Sequence, residues 1–185
     1  DFEATALVRS NNDNNNVYVG SNKGEIYKIS ISEHTFDKIY TYTKSNPINT
    51  LYAHLNELYM GFSDGSCVLF PLIENGINHN FPGHTAGITD IDISSDGNLM
   101  ATSSFDGIVR VYSLDHKMQS PLEFNQHKSW VYSVSFTGNS NEIFSTGRDR
   151  KVNHFKIKLD DLAKDLEIHK IEPLSEIQKI KYIEE

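Results

Sequence analysis

The sequence predicts an all-β chain in which one antiparallel unit recurs four times. Two observations predict it. Between Gly83 and Leu114, three short runs rich in β-branched and aromatic residues, too short for helices, are separated by polar turns at Asp96-Gly97 and Asp106-Gly107. Asp and Gly tolerate the positive φ that a two-residue hairpin needs. The second observation is recurrence. The turn at Asp106 has a counterpart at Asp149, 43 residues on, and earlier ones at Asp64 and Lys23, at steps of 42 and 41 residues.

A stride of 41–43 residues is that of the four-stranded blades of β-propellers. The strand before each first turn repeats an apolar-x-x-apolar-x-apolar pattern, as Ile48/Leu51/Ala53, Ile88/Ile91/Ile93 and Val131/Val134/Phe136. Six residues after each reference position stands a large apolar residue: Ile29, Phe70, Tyr112 or Phe155.

Taken in order, blade one (1–43) has strands at Ala4–Arg9, Val17–Gly20 and Glu25–Ile31 and an outer strand within His34–Thr43. The polar run Asn11–Asn16 is an enlarged loop between its first two strands. Blade two (44–82) runs from Ile48 through Leu55–Met60 and Cys67–Leu72, then by way of Asn75-Gly76 to Phe81. Blade three (83–126) ends on Leu122-Glu123-Phe124. Blade four (127–170) starts at Trp130, reaches its third strand at Val152–Lys158 and has its outer strand at Leu166-Glu167-Ile168. Leu159, Leu162 and Leu166 stand at helical spacing behind Asp160 and Asp161, which fits a short helical insertion or an acidic loop. In 171–185, Ile177-x-x-Ile180-x-Tyr182 repeats the first-strand pattern and reads as an extra strand; Pro173-Leu174-Ser175 followed by Gln178 also suits a helix cap. The whole of 1–185 is read as one propeller region.

Composition narrows the function. Hydrophobic residues make up 38% and mean hydropathy is −0.45, and no apolar run reaches the ~18 residues of a membrane span. No secretory signal is visible, and a segment ahead of Asp1 is left open. The formal charge of −8 argues against nucleic acid, whose backbone is bound by Lys and Arg. One cysteine, Cys67, cannot form an internal disulfide and fits a reducing, cytoplasmic compartment; its apolar strand makes it a small core residue. There is no His-x-x-x-His, Cys-x-x-Cys or Gly-rich phosphate loop, so no metal or cofactor is expected. Asp90/Asp92 and Asp160/Asp161 read as solvated faces.

The chain resembles the WD-repeat β-propellers. Gly83-His84 matches that family's Gly-His pair, and Ser104-Phe105-Asp106-Gly107 its tight turn. The Trp-Asp pair that names the family is replaced by Ile29-Ser30, Phe70-Pro71, Tyr112-Ser113 and Phe155-Lys156. The resemblance implies a buried hydrogen-bond chain of carboxylate, imidazole, hydroxyl and indole in each full repeat. Here its members are His84, Thr102, Asp106 and Tyr112 in blade three and His127, Ser145 and Asp149 in blade four, where Phe155 has no donor. His, Ser/Thr and Asp also suggest a hydrolytic triad. Recurrence of the set at 43 residues favours the structural role.

WD-repeat rings usually have seven blades, so four blades and a strand imply a partial ring. The remaining blades are expected on the same natural chain or from another copy, and the alternative is a small self-closed ring. Repeat folds bind through equivalent positions of successive units. Positions three and five after the repeat His face the mouth of the ring: Pro47 and Asn49, Gly87 and Thr89, Trp130 and Tyr132, then Glu176 and Gln178. The residue before the turn Asp adds Ser63, Phe105 and Arg148. Trp130, Tyr132, Arg148, Phe105 and Thr89 thus form the candidate surface for a protein or peptide, since Trp, Tyr and Arg are enriched at binding hot spots. The competing view of Trp130 is simple packing on an adjacent blade. The function expected is a non-enzymatic scaffold or sensor; the blades are similar to propeller arrays that follow signalling ATPase domains in bacteria. The alternatives are a propeller enzyme acting on a small molecule at the mouth, which needs converging acids, bases or metal ligands, and a purely structural subunit.

Overall fold

The computed structural model describes residues 2–12, 14–73, 76–115 and 120–157. They form four antiparallel sheets, each a meander in which consecutive strands are neighbours. The first sheet comprises β1 (Ala4–Arg9), β2 (Asn16–Ser21), β3 (Glu25–Ser30) and β4 (Thr35–Thr41). The second has β5 (Ile48–His54), β6 (Glu57–Phe62), β7 (Cys67–Pro71) and β8 (His79–Phe81). The third has β9 (Ile88–Ile93), β10 (Leu99–Ser104), β11 (Val109–Ser113) and β12 (Leu122–Phe124). The fourth contributes β13 (Val131–Phe136), β14 (Glu142–Gly147) and β15 (Val152–Lys156). The outer strand expected at 166–168, the helical insertion and the extra strand at 177–182 lie outside the described residues.

The four reference turns have one geometry. Gly24, Gly65, Gly107 and Arg150 each donate a backbone N–H three residues back, to Ser21, Phe62, Ser104 and Gly147, at 3.1–3.2 Å. Each of these donors holds a left-handed φ between 63° and 86°. Asp64, Asp106 and Asp149 accept the amide two residues on, from Ser66, Ile108 and Lys151, at 2.9–3.2 Å. These are four-residue turns, not the two-residue hairpins expected from Asp-Gly: the Asp caps the turn through its side chain, and only the residue after it needs φ > 0. The second strand of blade two also starts later than expected. Leu55 has φ 51° and, with Asn56, makes the turn, so the strand opens at Glu57.

Alternation along the strands builds a core at each junction between sheets. Leu58 and Met60 pack toward blade one with Ile26 and Ile48, whereas Tyr59 between them packs toward blade three with Ile88 and Ile91. Ala101, Val111, Val134 and Ile143 form the third junction. The sheets approach closely: a Cβ on Gly61 would stand 2.6 Å from the Ile88 side chain. The outer faces of the first and last sheets are open. Leu7 is 69% exposed, whereas its counterparts Leu51, Ile91 and Val134 are buried. Phe144 is likewise exposed where Tyr18, Tyr59 and Ala101 are buried. Four propeller sheets side by side, with their outermost faces exposed among the described residues, fit a partial ring.

Asp90 and Asp92 are not a solvated face. Asp90 accepts from Ser133 Oγ (2.6 Å) and the Val134 amide (3.2 Å), and Asp92 from Ser135 Oγ (3.1 Å) and the Phe136 amide (2.7 Å). The carboxylates of β9 therefore clasp the first strand of the next blade. The enlarged loop of blade one serves a similar end, with Asn11 donating to the Ala53 carbonyl at 2.6 Å.

Candidate functional site

Each first strand begins with the same irregularity. The pairing register slips between Ala4 and Ala6, between Ile48 and Thr50, between Val131 and Ser133, and in β9 opposite Ser103/Ser104. One residue is therefore unopposed in each blade: Thr5, Asn49, Thr89 or Tyr132. A bulge re-aims the side chain that carries it. These four turn to the mouth, where they line a cavity of about 400 Å³ together with Ile88 and Phe105.

Three of the four also join the blades. Thr5 Oγ1 donates to the Ile48 carbonyl at 2.6 Å, Asn49 Nδ2 to Ile88 at 2.9 Å, and Thr89 Oγ1 to Val131 at 2.8 Å. Thr89 thus belongs to the mouth with its hydroxyl engaged, also against Ser103 Oγ at 2.8 Å. Tyr132 is 47% exposed. The bulged clasp escaped sequence reasoning, although short polar donors at one register in three successive blades are its signature.

A second repeated contact sets the rim. The amides of Asn22, Ser63, Phe105 and Arg148 donate to the carbonyls of Glu3, Pro47, Gly87 and Trp130 at 2.8–3.0 Å. The bridge sets Arg148 beside Trp130, and its guanidinium lies 4.5 Å from the indole centroid. Phe105 meets the same indole edge-on, with centroids 5.1 Å apart. Trp130 thus packs on Phe105 of the neighbouring blade and still leaves 44% of its surface open. Phe105 both touches Trp130 and lines the cavity, so the rim cluster and the mouth are continuous.

The repeated polar sets lie inside the blades. His84 Nδ1 is 2.9 Å from Asp106 Oδ2, and Nε2 is 2.7 Å from Thr102 Oγ1. In blade four His127 spans Asp149 at 3.0 Å and Ser145 at 2.8 Å. Both imidazoles are wholly inaccessible, and Thr102 and Ser145 are buried, so no substrate reaches the hydroxyls. Burial pushes the His84 imidazole down, and Asp106 offsets that only in part. A neutral ring with Nδ1–H donating to Asp106 and Nε2 accepting from Thr102 satisfies every group. Burial works to raise the Asp106 carboxyl, but His84 and the Ile108 and Thr85 amides outweigh it and hold it far below the carboxylate range.

Two departures from the implied chain appear. The Tyr112 hydroxyl donates to the Pro82 carbonyl at 2.7 Å, tying the third strand to the loop ahead of His84. Buried Arg110, which sequence reading missed, bridges Asp106 at 3.3 Å and Glu123 on the outer strand at 2.8 Å. Just ahead of blade two, Tyr42 donates its amide to Gly24 as His84 does to Gly65, and its hydroxyl donates to Ser66 Oγ at 3.0 Å. Cys67 is fully buried and its thiol is pushed up to about 12 by burial, which leaves it inert. Among the described residues no group of three or more His, Cys, Asp or Glu side chains is placed to hold a metal ion, and no helix is long and apolar enough to cross a membrane.

Comparison with known proteins follows the same lines. The family model "WD domain, G-beta repeat" matches residues 76–113 and 118–156. The mouse F-box-like/WD repeat-containing protein TBL1X is 33% identical over 97 residues, covering 52% of this chain and 18% of that protein. A guanine nucleotide-binding protein subunit beta-like protein from Encephalitozoon cuniculi (strain GB-M1) is 34% identical over 89 residues, covering 46% of this chain and 26% of that protein. The chain thus spans about a quarter or less of the length of these relatives. Among solved structures, the computationally designed Ika4 protein superposes with a TM-score of 0.71 at 22% identity, covering 84% of this chain and 92% of that one. A chain of the Mitotic Checkpoint Complex superposes at 0.76 and 17% identity, covering 84% and 48%. With two adjacent repeats matched, relatives named for that repeat, and four sheets sharing one turn and one bulge, residues 76–156 carry WD repeats within a β-propeller fold.

Proposed function

We propose that the chain is a non-enzymatic interaction module that binds a protein or peptide segment on the face carrying Trp130. The observation that carries this reading is the continuity of Phe105, Trp130 and Arg148 with the open mouth. Large aromatic groups held by a rigid sheet, with a guanidinium stacked on one of them, are the composition of binding hot spots. The enzyme alternative needs acids, bases or metal ligands converging at the mouth. The lining of Thr, Asn, Ile, Phe and Tyr supports the scaffold reading instead. The finer role, a ligand-sensing end of a larger signalling protein, is supported by the resemblance to such arrays and by the greater length of the relatives.

The test is selection of a displayed random-peptide library on the protein and on the W130A/R148A double variant. Arg148 is exposed, but Trp130 gives up its contact with Phe105. The double variant is therefore expected to unfold cooperatively at a somewhat lower temperature, and it is used only where it is fully folded. Clones that bind the protein and lose the double variant are expected. Clones that bind both equally would move the binding face elsewhere.

A further inference from the structure

We infer that this face takes a peptide segment in which an aliphatic side chain stands next to a carboxylate: the aliphatic group enters the mouth and the carboxylate pairs with Arg148. The inference rests on the scaffold reading and names its ligand. The mouth is polar by residue type, yet its donors on Thr5, Asn49 and Thr89 are engaged. Thr5, Asn49 and Thr89 direct their donors at the carbonyls of Ile48, Ile88 and Val131. Ile88 and the rings of Phe105 and Tyr132 give the cavity its apolar lining. An aliphatic side chain is desolvated against them while the three engaged donors ask nothing of it.

Arg148 is the opposite case. It is exposed, and among the described residues no carboxylate stands within salt-bridge distance of its guanidinium. The adjacent Asp149 already serves His127 and the amides of Lys128 and Lys151. Resting over Trp130, the guanidinium is held in place, and among the described residues its N–H groups meet no acceptor. A planar fork of donors matches a carboxylate in two-point contact. Phe105 touches both the indole and the cavity, so the two subsites adjoin. An extended peptide advances ~3.3 Å per residue, which puts the acid one or two residues from the aliphatic group.

The single tryptophan makes the test direct, because Trp130 is the chain's whole indole fluorescence. The probes are degenerate peptide pools, acetyl-Gly-X-Leu-Glu-X-Gly-amide and its Leu-Lys and Leu-phosphoserine counterparts, with X any residue but Trp and Cys. They are titrated at 0.15 M salt into the protein, R148Q and R148K. The net charge of −8 favours the basic pool at long range, so a preference for the acidic pool reports the local pair. The Leu-Glu pool is expected to perturb Trp130 saturably and at least tenfold more tightly than Leu-Lys. R148Q should erase the preference and R148K restore part of it, both melting as the parent does. Binding of both pools alike overturns this inference and leaves the scaffold reading standing. Tighter binding of the phosphoserine pool than of Leu-Glu overturns the carboxylate assignment in favour of phosphate. Silence of Trp130 toward every pool overturns both readings.

Discussion

Asp64 and Asp106 occupy one backbone setting, yet their removal is expected to differ several-fold in cost. Asp106 is buried and accepts from His84 (2.9 Å), Thr85 N (3.1 Å), Ile108 N (2.9 Å) and Arg110 (3.3 Å). Asp106→Ala strands an inaccessible imidazole and a buried guanidinium, and breaking such a pair costs about 4 kcal/mol. Asp64 caps Ser66 N and faces Lys44 at 3.6 Å, and that lysine is 63% exposed. Losing one turn bond and a screened ion pair costs about 1 kcal/mol. At about 2–4 °C per kcal/mol for a chain of this size, the melts fall by about 8–16 °C and about 2–4 °C. Urea unfolding followed by circular dichroism reads both. Acid adds a signed check. His84 is lowered in the fold, so its contribution is complete above the unfolded value of about 6.5 and is lost as pH falls through the folded one. Asp106 is also lowered, so its share is present above about 3.9 and is lost on further acidification. Asp106→Asn removes that second, more acidic loss. Equal destabilisation by Asp64→Ala and Asp106→Ala would refute the claim that the imidazole network, rather than the turn, carries the stability.

Arg150 holds φ 63° at the position where the other three blades place Gly24, Gly65 and Gly107, and it is exposed. Arg150→Gly is expected to stabilise by about 1 kcal/mol, read as a rise of about 2–4 °C in the melt. Asp92→Ala removes the acceptor for the Phe136 amide and Ser135 Oγ, so hydrogen exchange at Phe136 should speed up by at least tenfold while amides of the first two blades keep their protection.

The stride, the strand types and the reference turns were legible because each rests on local chemistry that repeats: an Asp that caps, a residue that turns left-handed, an apolar triplet at fixed spacing. What the sequence hid were choices made between blades. Asp90 and Asp92 look like any alternating acids until Ser133 and Ser135, 43 residues later, are set opposite them. Read as paired columns of the repeat rather than as one strand, they were visible. Leu55 was placed in a strand because its side chain is apolar; the turn claimed it because His54 and Glu57 pair directly and leave two residues to close the loop. The Tyr112 hydroxyl donates to the Pro82 carbonyl because a phenol extends further than an indole N–H, and it still lies close enough to Thr102 to interact with that hydroxyl.

The bulge explains why the binding face and the blade junctions are one structure. An unopposed residue at the start of each first strand has its side chain turned out of the ladder, where it either joins the next blade or meets a ligand. Thr5, Asn49 and Thr89 do the former, with short donors that fit a carbonyl 2.6–2.9 Å away. Tyr132, in the last described blade, has no following first strand among the described residues and is 47% exposed. The same slot thus serves as glue in three blades and as surface in the fourth. On the proposed binding face, blade four differs because its slot carries an aromatic residue beside Trp130 and Arg148, whose side chains form no hydrogen bond to a neighbouring blade among the described residues.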